Sequence, residues 1–182
     1  MKTALGLVAV ATFLFAPSLS ATQSAAQSDS PAALLAIQES AGEMSPEVQL
    51  YIGRGDELSN RLRYDAAARE YTRAADVARR EGHLPSGTTW KLANAHYYGG
   101  NMIAAAAALD RLTDEAALVG DLEVEALSIY YSAWLDGKTG HKAEMTARVE
   151  RLKGLLGSRY MPVALRDRLS EWIKTSKDVA VR

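Results

Sequence analysis

Three segments of this 182-residue chain share one spacing of small and apolar side chains, and this repetition constrains the fold more than any other feature. In each segment such side chains lie three, seven and ten positions beyond an opening residue that follows a turn. The positions are Tyr64, Ala67, Tyr71 and Ala74; Met102, Ala105, Leu109 and Leu112; and Lys142, Met145, Val149 and Leu152. The offsets between segments are 38 and 40 residues. A period of this length is typical of stacked helical hairpins, because one hairpin cannot bury both of its apolar faces alone.

Helix-start and helix-stop residues divide the rest of the chain into short helices, and no long segment alternates as a strand would. The clearest helix follows Tyr64, where apolar and small residues as far as Ala78 share one face. Predicted turns lie at 81–87, 99–101, 120–121 and 137–140. We therefore predict an all-α fold of antiparallel helical hairpins closed by a C-terminal capping helix. The predicted hairpins span about 48–81, 86–119 and 126–157, and the capping helix spans about 162–179.

These hairpins resemble the tetratricopeptide repeat (TPR) family. In that family a small residue within the second helix lets the first helix approach closely; Ala67 and Ala105 match this position, whereas Met145 departs from it. Small residues also match the crossing position of the first helices, at Gly55, Ala93 and Ala133. The closest likeness lies between residues 90 and 112, although the period is longer than the family's and its closing proline is missing. The resemblance implies a short right-handed α-solenoid over residues 31–182.

The resemblance further implies a concave face that binds a protein or a peptide. Carried over by position, the candidate partner-binding residues are Trp90, Asn94, Tyr97, Tyr98, Tyr130 and Trp134. Aromatic side chains beside an amide suit peptide recognition, because they combine a large contact area and few rotatable bonds with a polar group. Aromatic stripes also pack into helical cores. The sequence leaves open whether this stripe is a binding groove or part of the core.

The first 21 residues have the layout of a secretory signal peptide. Lys2 precedes an apolar run of 13 residues that ends before Pro17, which is short for a membrane span, and small residues follow. We expect cleavage between residues 20 and 26, with an uncleaved anchor as the alternative. Residues 22–30 are rich in Ser, Gln and Ala and are predicted to form a flexible leader. We predict Sec-type export from a bacterial cytoplasm to the periplasm or the exterior, without stable membrane insertion afterwards.

Composition argues against several kinds of site. The chain has no cysteine, which excludes disulfides, thiolate–zinc sites and a cysteine nucleophile. A net charge of −1 argues against binding nucleic acid through the whole chain. His141 and Glu144 share a helix face, but no further ligand pair accompanies them. We therefore predict no catalytic residue, no metal ligand and no cofactor.

These observations together favour an exported, non-enzymatic interaction module that binds a protein or peptide as a scaffold or assembly factor. Two alternatives stay open. One is a structural envelope protein that associates with its own copies as a homo-oligomer. The other is an envelope enzyme with an unrecognised site, although a nucleophile, a base and an electrostatic group cannot be assembled from the motifs.

Overall fold

The computed structural model of the chain describes residues 44–180, with side chains described as far as residue 175. Within this range the chain forms seven α-helices and no β-strand, which confirms the all-α prediction. The helices are α1 (Pro46–Asn60), α2 (Tyr64–Arg80), α3 (Ser86–Tyr98), α4 (Met102–Val119), α5 (Leu122–Thr139), α6 (Lys142–Leu156) and α7 (Val163–Ala180). The predicted signal peptide, the predicted leader and the predicted helix at 31–41 lie outside the described residues.

Polar side chains explain where several helices begin. The hydroxyl of Ser45 accepts a hydrogen bond from the backbone N–H three residues on, and a proline occupies the first position of α1. Asn101 and Asp121 cap α4 and α5 in the same way, at 3.0 Å each. Helix α3 begins at Ser86, inside the loop that we predicted at 81–87, because the proline before it already supplies a helix-compatible start.

The predicted turn at residues 137–140 is wrong over most of its length. Helix α5 continues through Gly137 to Thr139, and only Gly140 leaves the helix, with φ of 80°. A glycine costs about 1 kcal/mol relative to alanine inside a helix, but α5 is buried along most of its length, so packing outweighs this preference. A Cβ added to Gly137 would lie 3.2 Å from the Met145 sulfur. The glycine therefore allows close packing of α5 on α6 instead of ending the helix.

Consecutive helices pack against each other in chain order. Side-chain contacts also join every second helix: α1, α3, α5 and α7 contact one another in that order, and so do α2, α4 and α6. We call α1, α3, α5 and α7 the first-helix layer, and α2, α4 and α6 the second-helix layer. Buried clusters combine residues of both layers, so the core lies between them. Two of these clusters are Ala67, Ala68, Tyr71, Leu92 and Ala95, and Leu112, Ala116 and Val124.

Small residues lie buried where helices cross. Ala67, Ala93 and Ala133 are each no more than 5% exposed. At Gly55 of α1 an added Cβ would lie 2.4 Å from a ring carbon of Tyr71 on α2. This spacing is far inside van der Waals contact, so α1 can pack on the Tyr71 ring only because the crossing residue is glycine.

Candidate functional site

Aromatic side chains connect α3 to α5 within the first-helix layer. Trp90 of α3 lies edge-on to Tyr131 of α5, with 4.9 Å between ring centroids. One helical turn further along, Tyr97 contacts Trp134 at 5.4 Å. Ring pairs at these separations and tilts are favourable beyond their simple burial. We call the following residues the aromatic row: Trp90, Tyr97, Tyr98, Tyr130, Tyr131, Trp134 and Trp172.

The row continues from α5 to α7. Tyr130 contacts Tyr131 at 5.0 Å and lies perpendicular to Trp172 of α7, with 4.6 Å between the ring centroids. Tyr130 and Tyr131 are only 6% and 5% exposed. Burial, and to a smaller extent Tyr130, raise the pKa of Tyr131, while Arg168 partly opposes this shift. This end of the row is therefore part of the packed interior.

The other end of the row remains accessible. Trp90, Tyr97 and Trp134 are half-buried, and Tyr98 is 56% exposed. Asn94 lies among them on the same helix and is also half-buried. Its side-chain amide forms no hydrogen bond within the part of the chain whose side chains are described. An amide with free donors and acceptors beside half-exposed rings can bind a polypeptide backbone and an apolar side chain together.

Charged groups surround this accessible end. The Lys138 ammonium lies over the Trp134 ring, 5.3 Å from its centroid. The Lys91 ammonium is 3.0 Å from an Asp56 carboxylate oxygen, and the same oxygen accepts a 2.7 Å hydrogen bond from the Tyr71 hydroxyl. Burial first, and then the contact with Asp56, raise the pKa of Tyr71. Asp56 therefore neutralises Lys91 and ties α1 to both α2 and α3.

The second-helix layer contains a different kind of contact, in which arginines bind carboxylates. Arg148 of α6 donates to Asp136 of α5 at 2.7 Å and to both oxygens of Asp110 of α4. Arg151 donates to Glu125 of α5 at 2.8 Å. The Asp136 and Glu125 side chains are only 8% and 9% exposed. Burial alone would lower the pKa of Arg148, but its hydrogen bonds to the two carboxylates outweigh burial and raise it.

One ion pair of this layer recurs at equivalent positions of two successive repeats. Asp76 of α2 lies 3.9 Å from Arg111 of α4, and Asp114 of α4 lies 3.8 Å from Arg151 of α6. The aspartates are 38 residues apart and the arginines 40, which are the offsets of the apolar pattern. Sequence analysis missed this pair, although the recurrence of these charges at the repeat offsets was a usable signal.

A recess of about 280 Å³ opens beside these ion pairs, between α4, α5 and α6. Its lining residues are Asp110, Thr113, Asp114, Ile129, Arg148 and Arg151. Both arginines already bind carboxylates, so a charged ligand would have to displace an existing ion pair to enter. The aromatic row, whose amide and rings still have free surface, is the stronger candidate site.

Comparison of the chain with protein-family models, with curated proteins and with solved structures finds no match. Within the described residues, no group of three or more His, Asp or Glu side chains is arranged to hold a metal ion. Between residues 44 and 180 no helix has the length and apolar character that a membrane span requires. The argument for function therefore rests on the chain's own surface.

The structure brings most of the sequence-derived candidates to one surface. Five of the six lie half-buried or exposed on neighbouring parts of α3 and α5, namely Trp90, Asn94, Tyr97, Tyr98 and Trp134. The sixth, Tyr130, is buried against Trp172. Sequence analysis did not include Tyr131 or Trp172 in this set. Trp172 lies 42 residues after Tyr130, close to the repeat offsets, and that spacing could have identified it.

Proposed function

We propose that this chain is an exported, non-enzymatic TPR-like protein that binds a protein or peptide through the accessible end of the aromatic row. One observation carries the proposal: half-exposed rings of Trp90, Tyr97 and Trp134 surround the Asn94 amide, which has no partner among the described side chains. Rings of this kind anchor partners because they release much water for little lost side-chain freedom. In this proposal the hairpins form a short right-handed solenoid with the aromatic row on its concave side and α7 as its cap.

The distribution of charge supports this choice of surface. In the second-helix layer Arg79, Arg148 and Arg151 each bind a carboxylate of a neighbouring helix, so those groups are already used to hold helices together. The accessible end of the aromatic row instead keeps apolar and amide surface that helix packing does not consume. The signal-peptide layout of the first 21 residues supports export, and a scaffold or assembly factor of an extracytoplasmic space fits both properties.

The test compares a double variant of the row with a matched control. Tyr97→Ala with Trp134→Ala removes two half-exposed rings; Trp90 is left intact because it packs against the Leu112 cluster. Tyr160→Ala removes a ring that is 70% exposed and lies outside the row. Partners captured from the native envelope by the wild-type chain are identified, and their affinity for each purified variant is measured.

We expect the double variant to bind such a partner at least about tenfold more weakly, as for other aromatic anchors, and Tyr160→Ala to bind it normally. Circular dichroism establishes that each variant remains helical. A folded double variant with wild-type affinity would show that the aromatic row is not the binding surface.

A second candidate function is self-association as a structural envelope protein. It is favoured by Leu118 and Val119, which are 87% and 65% exposed side by side at the end of α4. Sedimentation over a range of concentrations would then show a mass that increases with concentration in the wild-type chain and not in Leu118→Ser. A monomer at every concentration excludes this function and leaves the peptide-binding proposal unaffected.

A further inference from the structure

The turn between α1 and α2 contains an unexpected residue. Leu62 has φ of 58°, and among residues 44–180 it is the one non-glycine residue with positive φ. The equivalent turn positions of the next two hairpins, 38 and 40 residues further on, are Gly100 and Gly140, each with φ of 80°. In this region the Cβ of leucine approaches the following carbonyl oxygen, a clash that glycine avoids. Leucine is thus the less favourable residue for this turn.

Packing does not compensate for the strain, since the Leu62 side chain is 72% exposed. Exposure of a large apolar side chain on a strained backbone is unfavourable twice over for the folded chain alone. Backbone strain of this kind is concentrated at functional positions, where an interaction outside the turn depends on it. We therefore looked for what surrounds Leu62.

Two further apolar side chains protrude near this turn. Because successive helices run antiparallel, the α1–α2, α3–α4 and α5–α6 turns lie at the same edge of the helices, which we call the hairpin-turn edge (residues 60–65, 98–103 and 138–144). Tyr98 stacks on Tyr64 at 5.7 Å and is 56% exposed, and Ile103 is 73% exposed. Leu62, Tyr98 and Ile103 thus project from adjoining turns as separate side chains and do not line a groove.

The hairpin-turn edge is also positively charged. Its basic residues are Arg61, Arg63, Lys138 and Lys142, and its acidic residues are Asp65 and Glu144. The turns of the opposite edge, at 80–85, 118–123 and 157–162, carry two basic and three acidic residues. The apolar tips at the hairpin-turn edge are therefore accompanied by an excess of cations that the opposite edge lacks.

We propose that the hairpin-turn edge docks on an anionic lipid surface, with Leu62, Tyr98 and Ile103 entering the interfacial region. Separate protruding side chains fit a soft, deformable apolar medium better than a preformed pocket, and tyrosine favours the membrane interface. Arginine and lysine are attracted to anionic head groups and can keep their charge in water while their stems lie along the apolar layer. Such docking is peripheral, and it uses a surface distinct from the ring contacts between α3 and α5.

The chain has no cysteine, so a single introduced one can carry a polarity-sensitive fluorophore. We would label Leu62→Cys and, as a matched control at the opposite edge, Leu118→Cys, whose side chain is 87% exposed. Each is mixed with vesicles of phosphatidylcholine alone or with an equal part of phosphatidylglycerol. We expect a blue shift and quenching by lipid-borne quenchers at position 62 with the anionic vesicles, weakened by high salt, and no change at position 118. Because the readout is local, binding by any other segment does not produce it.

A second measurement separates the side chain from the turn. With the label at Ile103→Cys, Leu62→Gly should lower the vesicle affinity about tenfold, since it removes one buried leucine side chain, while thermal stability is not reduced. Arg63→Glu should weaken binding to the anionic vesicles. The proposal fails if position 62 does not respond to anionic vesicles, if position 118 responds equally, or if Leu62→Gly binds normally. If position 62 ignores vesicles while Leu62→Gly loses a protein partner, the edge is a protein-docking site and the lipid proposal is wrong.

Discussion

The two helix layers are joined by different chemistry. In the first-helix layer most contacts between helices are ring contacts, such as Trp90 with Tyr131, whereas in the second-helix layer they are arginine–carboxylate pairs, such as Arg148 with Asp110. An ion pair is complete once each charge has its partner, and its remaining surface has little to offer another molecule. A ring can contact a neighbour through one side and still present apolar surface on the other. The layer joined by rings therefore retains binding capacity, and the layer joined by ion pairs does not.

The layers should also differ in how they tolerate damage. A buried carboxylate that loses its partner keeps its desolvation penalty, so loss of one arginine disturbs more than one contact. A truncated ring at a half-exposed position loses contact area, but water can replace part of it. We expect the largest losses of stability in the second-helix layer, and losses of binding with smaller losses of stability in the first.

Arg148→Ala should have the largest effect. It leaves Asp136, whose side chain is 8% exposed, and Asp110 without their main cation. We expect a loss of about 3 kcal/mol in the free energy of unfolding, at the lower end for a buried pair because the Arg148 side chain is 24% exposed. Urea denaturation measures this loss. An unchanged midpoint would mean that the network holds no helices together.

Trp172→Ala tests the ring contact that ties α7 to α5. Trp172 is half-buried and lies 4.6 Å from the buried Tyr130. We expect about 2 kcal/mol of destabilisation, below the cost for a fully buried ring, and a smaller loss for Trp172→Phe, which keeps a ring in place. Equal losses in both variants would show that ring stacking is not what holds α7. A loss greater than that of Arg148→Ala would reverse the expected order of the two layers.

Most of the fold could be predicted from local sequence. The helix that follows Ser45, the apolar face from Tyr64 and the breaks near Gly100 and Gly120 are each set by residues close in the chain, and the structure agrees with them. The exception is Gly137, where packing against Met145 keeps the helix intact. Local propensity is overruled there because α5 contacts neighbours along nearly all its length.

Less of the candidate site could be predicted, because burial depends on distant residues. Periodicity places Trp90, Tyr130 and Trp134 on first helices, but it cannot show that Tyr130 is covered by Trp172 while Trp134 remains half-exposed. The ion pairs of Arg148 depend on how α6 aligns with α4, which no local pattern specifies. The strain at Leu62 also appears only in the backbone, although a leucine where two repeats have glycine was visible in the sequence.

The pH dependence of stability tests Tyr71, whose hydroxyl bonds to Asp56 and so crosses from one layer to the other. Burial raises its pKa above the ordinary value of 10.0 in the folded chain. The unfolded chain therefore ionises first, and this contribution to stability is present below pH 10 and lost above it. We expect a decline of up to about 1.4 kcal/mol per pH unit from this group.

Tyr71→Phe should flatten this alkaline decline without abolishing it, because Tyr131 also has a raised pKa. Tyr160→Phe, at a ring that is 70% exposed, should leave the decline unchanged. Urea denaturation at several alkaline pH values gives the slopes. A slope in Tyr71→Phe equal to that of the wild-type chain would show that Tyr71 ionises alike in both states.

The smallest expected effect concerns the repeated ion pair, and it distinguishes repetition from burial. Arg111 contacts Asp76 at 3.9 Å with a side chain that is 58% exposed, whereas its counterpart Arg151 also binds the buried Glu125. We expect Arg111→Ala to cost about 0.5 kcal/mol, an effect that high salt removes, because exposed pairs are weak and screened. Arg151→Ala should cost more and respond less to salt, since it leaves a buried carboxylate unpaired. If the two equivalent positions cost the same, repeat position would set the strength of these contacts, and the distinction drawn between the layers from burial would fail.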